Sequence, residues 1–300
     1  MKRKHIPTGR ITSRPRIAPT GLALLPAALL LAVLMLTGCA SVPPPAPMSP
    51  VRQQARQSLA NAQAAYDRGN WVVAAQLFER AAVAFAALDD LPALADARHN
   101  QARSLQHAGR HQSAIAAYRE AAQLNEKLNR PRERARNLTG LAQCHRALGQ
   151  LESALATLES ARALAGRDPL LLATLDNDHA LVLLDRGDSA DRDEIIRRLQ
   201  NARALYAQQQ NRPALARCIL NLGRAYMAFA EWPAALPELN AALAAFRELD
   251  DIRGLAQAHE LLASWYAHNN NQERAEYHHR QALDKYAFLK DEAALRRLQE

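Results

Sequence analysis

The sequence predicts an all-α solenoid built from about six helix-turn-helix repeats and a C-terminal capping helix. Small residues recur in three series with a period of about 40 residues. A fixed period of about 20–50 residues is typical of solenoids, in which each unit buries its apolar surface against its neighbours. The series are Ala81, Ala121, Ala161, Ala202, Ala242 and Ala282; Ala62, Ala102, Ala142, Ala180, Gly223 and Ala263; and Ala74, Ala114, Ala154, Ile195, Ala235 and Ala275.

Each repeat is expected to contain two helices joined by a short turn. Apolar residues fall three and four apart on both sides of the turn, which is the spacing of one helical face. A glycine suits such a turn because it accepts the positive φ that follows a helix. Four repeats carry this glycine, at Gly69, Gly109, Gly149 and Gly187. The expected repeats are 54–90, 94–130, 134–167, 169–211, 214–250 and 254–290, with the cap at 291–300.

The residue pattern of these units resembles the tetratricopeptide repeat in a longer-period variety. The fifth unit carries the resemblance through Leu222, Gly223, Tyr226, Trp232, Ala235, Leu239 and Ala242. The first unit carries it through Ala62, Gly69, Trp71, Ala74, Phe78 and Ala81, with Asn61 where leucine is usual. The resemblance covers roughly residues 54–290 and implies a right-handed α-α superhelix. It implies little about the molecular role, since this fold serves many unrelated functions.

The fourth repeat departs from the others in the spacing of its helices. Ala180 and Ala202 are 22 residues apart, whereas the equivalent residues of the other repeats are 19 apart. The extra residues fall within 187–194, a polar segment of sequence GDSADRDE. Since loop insertions are tolerated at the surface, we expect an exposed turn there.

The first 38 residues have the layout of a secretory signal peptide. Six basic and no acidic side chains precede the almost wholly apolar segment 21–36, which is short for a membrane span. The segment Leu36-Thr37-Gly38-Cys39 resembles the bacterial lipobox. The resemblance implies that residues 1–38 are removed and that Cys39 is acylated. An uncleaved signal anchor in the inner membrane is the alternative.

Residues 39–53 are expected to form a lipidated, proline-rich tether. Ala40-Ser41 lacks the aspartate associated with inner-membrane retention in Gram-negative bacteria. The lipoprotein resemblance therefore implies attachment to the outer membrane, facing the periplasm, with the membrane contacted through the N-terminal lipid. Several acyl chains are sufficient for stable anchoring.

Charge and cysteine content exclude some classes of function. The chain has a formal net charge of +8, but without the six basic residues of the signal peptide about +2 remains. That charge is too small for the dense positive surface that binds nucleic acid, so no nucleic-acid partner is expected. Cys144 and Cys218 fall in the third and fifth repeats with a whole repeat between them, beyond the reach of a disulfide, and are expected to be buried free thiols.

No arrangement of residues in the sequence indicates catalysis, and no enzyme activity, cofactor or metal is expected. There is no phosphate-binding glycine loop, no His-Glu-x-x-His segment and no nucleophile elbow. Gly109 separates His107 from His111, and the adjacent His278 and His279 point in different directions on a helix. Trp71 and Trp232 occupy equivalent positions and are expected to wedge between helices.

The candidate binding surface is the concave face that the first helices form in the resembling family. Carried over by register, it includes His99, Arg103, Arg136, Gln143, Arg146, Asn177, Arg217 and Arg224. An excess of arginine predicts a groove that binds an acidic peptide, an extended segment or a helix of a partner protein. Alternatively, these are ordinary solvated residues on an exposed helix face.

The resulting hypothesis is an outer-membrane-anchored scaffold or adaptor that assembles an envelope complex. Two alternatives are a ligand- or glycan-binding accessory protein of a cell-wall or secretion enzyme, and a pilotin-like factor for pilus or secretin biogenesis. A protein-binding groove should run across several repeats, whereas a small-ligand site should be a closed pocket with aromatic walls. The aromatic content of 5% favours the first.

Overall fold

A computed structural model describes residues 48–299, which form thirteen α-helices and one short 3₁₀ turn. The predicted signal peptide and Cys39 lie outside the described residues. The helices are α1 Pro50–Asp67, α2 Trp71–Ala87, α3 Leu91–His107, α4 His111–Lys127, α5 Pro131–Ala147, α6 Leu151–Leu164, α7 Pro169–Arg186, α8 Arg192–Gln208, α9 Arg212–Ala228, α10 Trp232–Glu248, α11 Ile252–His268, α12 Gln272–Phe288 and α13 Glu292–Gln299.

The helices follow one another in antiparallel pairs, and each pair is one repeat. The first repeat is α1 with α2, the sixth is α11 with α12, and α13 packs on the last pair. Each helix contacts the helices before and after it in sequence. The all-α solenoid predicted from the 40-residue period is thus confirmed. None of the helices between residues 48 and 299 combines the length and apolar character needed to cross a membrane.

The first helix begins four residues earlier than the sequence predicted. Residues 50–53 were placed in the tether, but α1 begins at Pro50. The Ser49 side chain accepts a hydrogen bond from the backbone N–H of Arg52, and Pro50 takes the first helical position. A serine cap followed by proline is a favourable helix start, since proline lacks a donor that would have no partner there.

Every repeat packs around small residues at fixed positions. The alanines of the first predicted series are all fully buried at 0% exposure. In the second series the fifth repeat carries Gly223, where a Cβ atom would lie 2.6 Å from Cδ2 of Leu239. The close approach of the two helices therefore needs the absence of a side chain at Gly223. Cys144 and Cys218 are buried and free, as predicted.

Each turn between helices contains a residue with positive φ. Within the repeats these residues are Gly69, Gly109, Gly149, Gly187, Ala230 and Asn270, with φ between 57° and 76°. The predicted turn role of the four glycines is confirmed. In the last two repeats a residue with a side chain adopts the same conformation, which is strained for alanine because its Cβ approaches the backbone.

Aspartates at helix starts connect consecutive repeats. Asp90 accepts a hydrogen bond from the backbone N–H of Ala93 and pairs with Arg52 of the first repeat at 3.0 Å. The same arrangement recurs where Asp168 pairs with Arg132 and where Asp291 pairs with Arg253. One carboxylate thus stabilises a helix end and also links it to the previous repeat.

The inserted segment of the fourth repeat forms an exposed 3₁₀ turn at Ser189–Asp191. Asp188 caps this turn by accepting from the backbone N–H of Ala190 at 2.9 Å. Asp191 pairs with Arg186 at 2.7 Å, and Arg192 reaches Glu231 of the next repeat. The insertion is therefore exposed, as predicted, and held by ion pairs at both of its ends.

The sixth repeat is polar where the interior repeats are apolar. Leu236 and Leu239 of the fifth repeat correspond, 40 residues later, to Glu276 and His279. Leu239 has 0% exposure, whereas Glu276 is exposed and His279 is half-buried. In an extended array the end faces are the ones that favour polar residues.

Candidate functional site

The first helices of the repeats lie side by side, and the surface that they form is called here the first-helix face. Side chains of α3, α5, α7 and α9 contact one another directly across this face. All eight residues predicted for a binding groove belong to these four helices, and each contacts a side chain of the next or the previous first helix. The register argument therefore located one continuous surface.

A row of hydrogen-bonded polar side chains crosses this face from the second repeat to the fifth. Gln106 donates to Gln143 at 2.9 Å, and Gln143 donates to Asp178 at 2.6 Å. From the other side, Asn221 donates to Asn177 at 2.9 Å. Asn177 in turn donates to Asp178 at 3.2 Å. We call these five residues the amide ladder, and both of its arms end at the carboxylate of Asp178.

Asp178 is almost fully buried, with 7% exposure. Burial raises the pKa of its carboxyl, while the hydrogen bonds from Gln143 and Asn177 and the charge of Arg146 act in the opposite direction. Burial prevails, because two neutral amide donors replace only part of the hydration that a carboxylate has in water.

The arginines of the face are paired within the protein, which corrects the expected excess of positive charge. Arg146 and Arg224 both reach Asp185, each at 2.8 Å, so one carboxylate connects the third and fifth repeats. The sequence-based count missed Asp185. It lies about two helical turns beyond Asn177, the groove residue that the sequence predicted on that helix.

Two further arginines of the predicted groove also lie near carboxylates. Arg136 lies 3.8 Å from Asp168, and Arg217 lies 3.7 Å from Asp251. Although burial acts to raise it, backbone donors and Arg132 hold the pKa of Asp168 below its ordinary value. The face thus carries opposite charges in pairs, and free arginines do not dominate it as the sequence suggested.

The second repeat contributes a histidine and an arginine that contact aromatic rings. His99 lies 2.7 Å from Oδ1 of Asn137 through its Nδ1 atom, and burial lowers the pKa of its imidazole. Arg103 donates to the hydroxyl of Tyr66 at 3.0 Å and lies 5.1 Å from the centre of that ring. Arg103 is the predicted groove arginine that is held by an aromatic ring instead of a carboxylate.

Trp71 and Trp232, which were predicted to wedge between helices, each pack against the first helix of the following repeat. Trp71 stacks on His107 with ring centres 5.4 Å apart, and Trp232 stacks on His268 at 3.7 Å. The two pairs occupy the same positions in different repeats, and each links the start of a second helix to the end of the following first helix. Their partners explain why these tryptophans recur. Each ring covers a histidine of the next repeat.

A separate open cavity of about 540 Å³ lies at the end of the sixth repeat. It is lined by Ala263, Ser264, Ala267, Gln272, Ala275, Glu276, His279 and Arg280. None of these lining residues is phenylalanine, tyrosine or tryptophan. Across residues 48–299, no three histidine, cysteine, aspartate or glutamate side chains converge as metal ligands would.

Comparison with known proteins agrees with this architecture. A family model described as tetratricopeptide repeat matches residues 95–167, which span most of the second and third repeats. The described part of the chain is therefore an all-α solenoid that is similar to tetratricopeptide-repeat structures. No curated protein matches the sequence.

Several solved structures are similar to the solenoid. The Cut9–Hcn1 hetero-tetramer of the APC/C matches with 25% identity and a TM-score of 0.63, over 82% of this chain and 43% of that chain. A Rap protein complexed with Competence and Sporulation Factor matches with 13% identity and a TM-score of 0.63, over 82% and 73%. Aspartyl phosphate phosphatase F from Bacillus subtilis matches with 12% identity and a TM-score of 0.65, over 91% and 74%. This chain therefore spans less than half of the matched chain in the first complex.

Proposed function

We propose that this tetratricopeptide-repeat solenoid is a non-catalytic scaffold that binds an extended segment of a partner protein on its first-helix face. The observation that carries the proposal is the amide ladder, which runs unbroken from Gln106 to Asn221. Side chains already fixed by hydrogen bonds lose little conformational entropy when a partner binds. Primary amides also retain donors and acceptors that match those of a peptide backbone.

Two of the similar structures favour a role in binding proteins or peptides. One is the Cut9–Hcn1 complex, and the other is the complex of a Rap protein with Competence and Sporulation Factor. The cavity of the sixth repeat gives the small-ligand alternative less support than these complexes give protein binding. It is open and lacks the aromatic walls that such sites usually have.

We further propose that the scaffold is a lipoprotein of the outer membrane, facing the periplasm, where it assembles an envelope complex. The support is the sequence alone, with the segment Leu36-Thr37-Gly38-Cys39 after a basic and then apolar stretch. Acylation at Cys39 would place the solenoid within a short tether's length of the membrane.

Membrane attachment is tested by Cys39→Ser and by mass spectrometry of the exported chain. We expect the wild type to carry acyl groups and to fractionate with outer membranes, and the variant to be unlipidated and released. A wild type that lacks acyl groups, or a variant that stays in the same membrane fraction, would contradict the lipoprotein proposal. Neither result would affect the binding proposal.

Partner binding is tested by affinity purification through a C-terminal tag. The test variant is Arg103→Glu with Arg224→Glu, two exposed changes on the first-helix face. The matched control is Arg80→Glu with Arg119→Glu, which makes the same charge change at exposed positions of second helices. We expect partners to be lost from the test variant and kept by the control. Equal capture by both would refute binding at this face.

A further inference from the structure

Asp178 is a buried carboxylate that has no counterion among the described residues. Its two oxygens accept from Gln143 and Asn177, which are neutral. Among the described residues, no basic side chain lies within ion-pair distance of it, and the nearby Arg146 already pairs with Asp185. The other acidic side chains of this face, such as Asp168 and Asp185, do contact arginines.

The repeat architecture does not require a carboxylate at this position. Equivalent positions in the other repeats carry Ala60, Asn100, Gly140, Asn221 and Leu261. Residues as different as glycine and leucine therefore fit the same place in the solenoid. Since burying a charge without a counterion is unfavourable, an aspartate here costs stability that the uncharged residues of the other repeats do not cost. A buried charge that lacks a counterion more often serves binding than the stability of the fold.

We propose that Asp178 is the centre of a subsite for a cationic side chain, lysine or arginine, of the segment that binds along the first-helix face. The proposal rests on the proposed function, because the subsite acts within that binding surface. A bound ammonium or guanidinium group supplies the counterion that Asp178 lacks within the protein. A hydrogen bond between two oppositely charged groups is stronger than those that the neutral amides donate to the carboxylate.

The surroundings of Asp178 suit a long basic side chain. Leu181 lies one helical turn further along α7 and is 8% exposed, so it offers an apolar wall for an aliphatic stem. Gln143 and Asn221 hold the two sides of the ladder next to it. At this one position, the side chain expected of the partner is thus basic, whereas the count of arginines in the sequence predicted an acidic partner.

A selection from random nonapeptides tests the subsite directly. The library is selected separately on the purified wild-type chain, on Asp178→Asn and on Asp96→Asn. Asp96 is a matched control, because it lies on the first helix α3 and its side chain is 58% exposed beside Arg130. Circular dichroism checks that each variant is folded, and Asp178→Ala, which copies Ala60, serves as a second variant.

We expect wild-type binders to share a lysine or arginine at one position, and its replacement by glutamine to weaken binding about tenfold. With Asp178→Asn or Asp178→Ala that replacement should have almost no effect, whereas Asp96→Asn should behave as the wild type. Binders without a shared basic residue, or a lysine preference that survives both changes at Asp178, would overturn the subsite and leave the scaffold proposal standing. Failure of every chain to select any peptide would overturn both.

Discussion

The surfaces on which the repeats stack and the first-helix face differ in how their residues recur. At one stacking position of the second helices, five repeats carry a buried apolar side chain, namely Phe78, Tyr118, Leu158, Leu199 and Leu239. On the first-helix face, the position of Asp178 has no such regularity. Periodic residues therefore build the solenoid, and residues that occur once give the face its chemistry.

The sixth repeat shows a stacking position that its neighbours cover only in part. The sixth repeat carries His279 where Leu239 stands in the fifth, and it is only half-buried. Burial of an apolar side chain stabilises the fold only where another helix covers it. The same position can thus be essential in one repeat and free to change in another.

The largest expected effect on stability is a difference between the fifth and sixth repeats. Leu239→Ala removes a side chain with 0% exposure and should lower the free energy of unfolding by about 2–5 kcal/mol. His279→Ala, the same position one repeat later, should change it by less than about 1 kcal/mol. Chemical denaturation of both variants measures the difference. Equal losses would show that the two positions are packed alike.

A second prediction concerns how closely neighbouring helices approach. A Cβ atom at Gly140 would lie 2.3 Å from Cζ of Tyr118, so Gly140→Ala should destabilise the protein by about 1–3 kcal/mol. Truncation of the ring in Tyr118→Leu should make the second change at Gly140 less costly. A double-mutant cycle in denaturant measures this coupling, and strictly additive losses would refute the contact.

A third prediction concerns the turn of the fifth repeat. Ala230 has φ of 58°, whereas the same turn in the first four repeats carries glycine. Ala230→Gly should raise the free energy of unfolding by roughly 0.5–1 kcal/mol, because it relieves the left-handed strain. Gly149→Ala is the reciprocal control and should lower it by about as much. A loss of thermal stability in Ala230→Gly would contradict this account of the turn.

The smallest expected effect on stability is at the first-helix face. Because burial raises the pKa of Asp178 in the folded state, its contribution to stability is lost as pH rises through that pKa. The melting temperature of Asp178→Asn minus that of the wild type should therefore be more positive near about pH 8 than near about pH 3, below the ordinary aspartate pKa. A difference that does not change with pH would mean that Asp178 titrates as an exposed carboxyl.

The periodic part of this architecture could be predicted from the sequence, and the pairing of charged side chains could not. Recurring alanines and glycines predicted the helices and the turns, because each marks a position that only a small or flexible residue fits well. The ion pairs of Asp185 could not be predicted, because its partner arginines lie 39 residues away on either side, across repeats of unequal length. Long flexible side chains reach several partners, so register alone does not choose among them.

The start of α1 and the amide ladder show the same limit on a smaller scale. Pro50 was assigned to the tether by its proline-rich context, although Ser49 caps a helix there. Gln143 was predicted on the first-helix face, but its connection to Gln106 and Asp178 depends on side-chain geometry that repeats only in part. The sequence predicts which residues share a surface, whereas the hydrogen bonds and ion pairs among them depend on atomic positions.

Photocrosslinking in intact cells tests most directly whether the first-helix face binds the partner. A photoreactive amino acid is placed at Arg103 or Arg224 on that face, or at Val83 or Arg119 on second helices, where all four native side chains are exposed. We expect covalent adducts with the same partner from positions 103 and 224 and none from 83 and 119. Adducts formed only from the second helices would contradict the assignment of the binding surface.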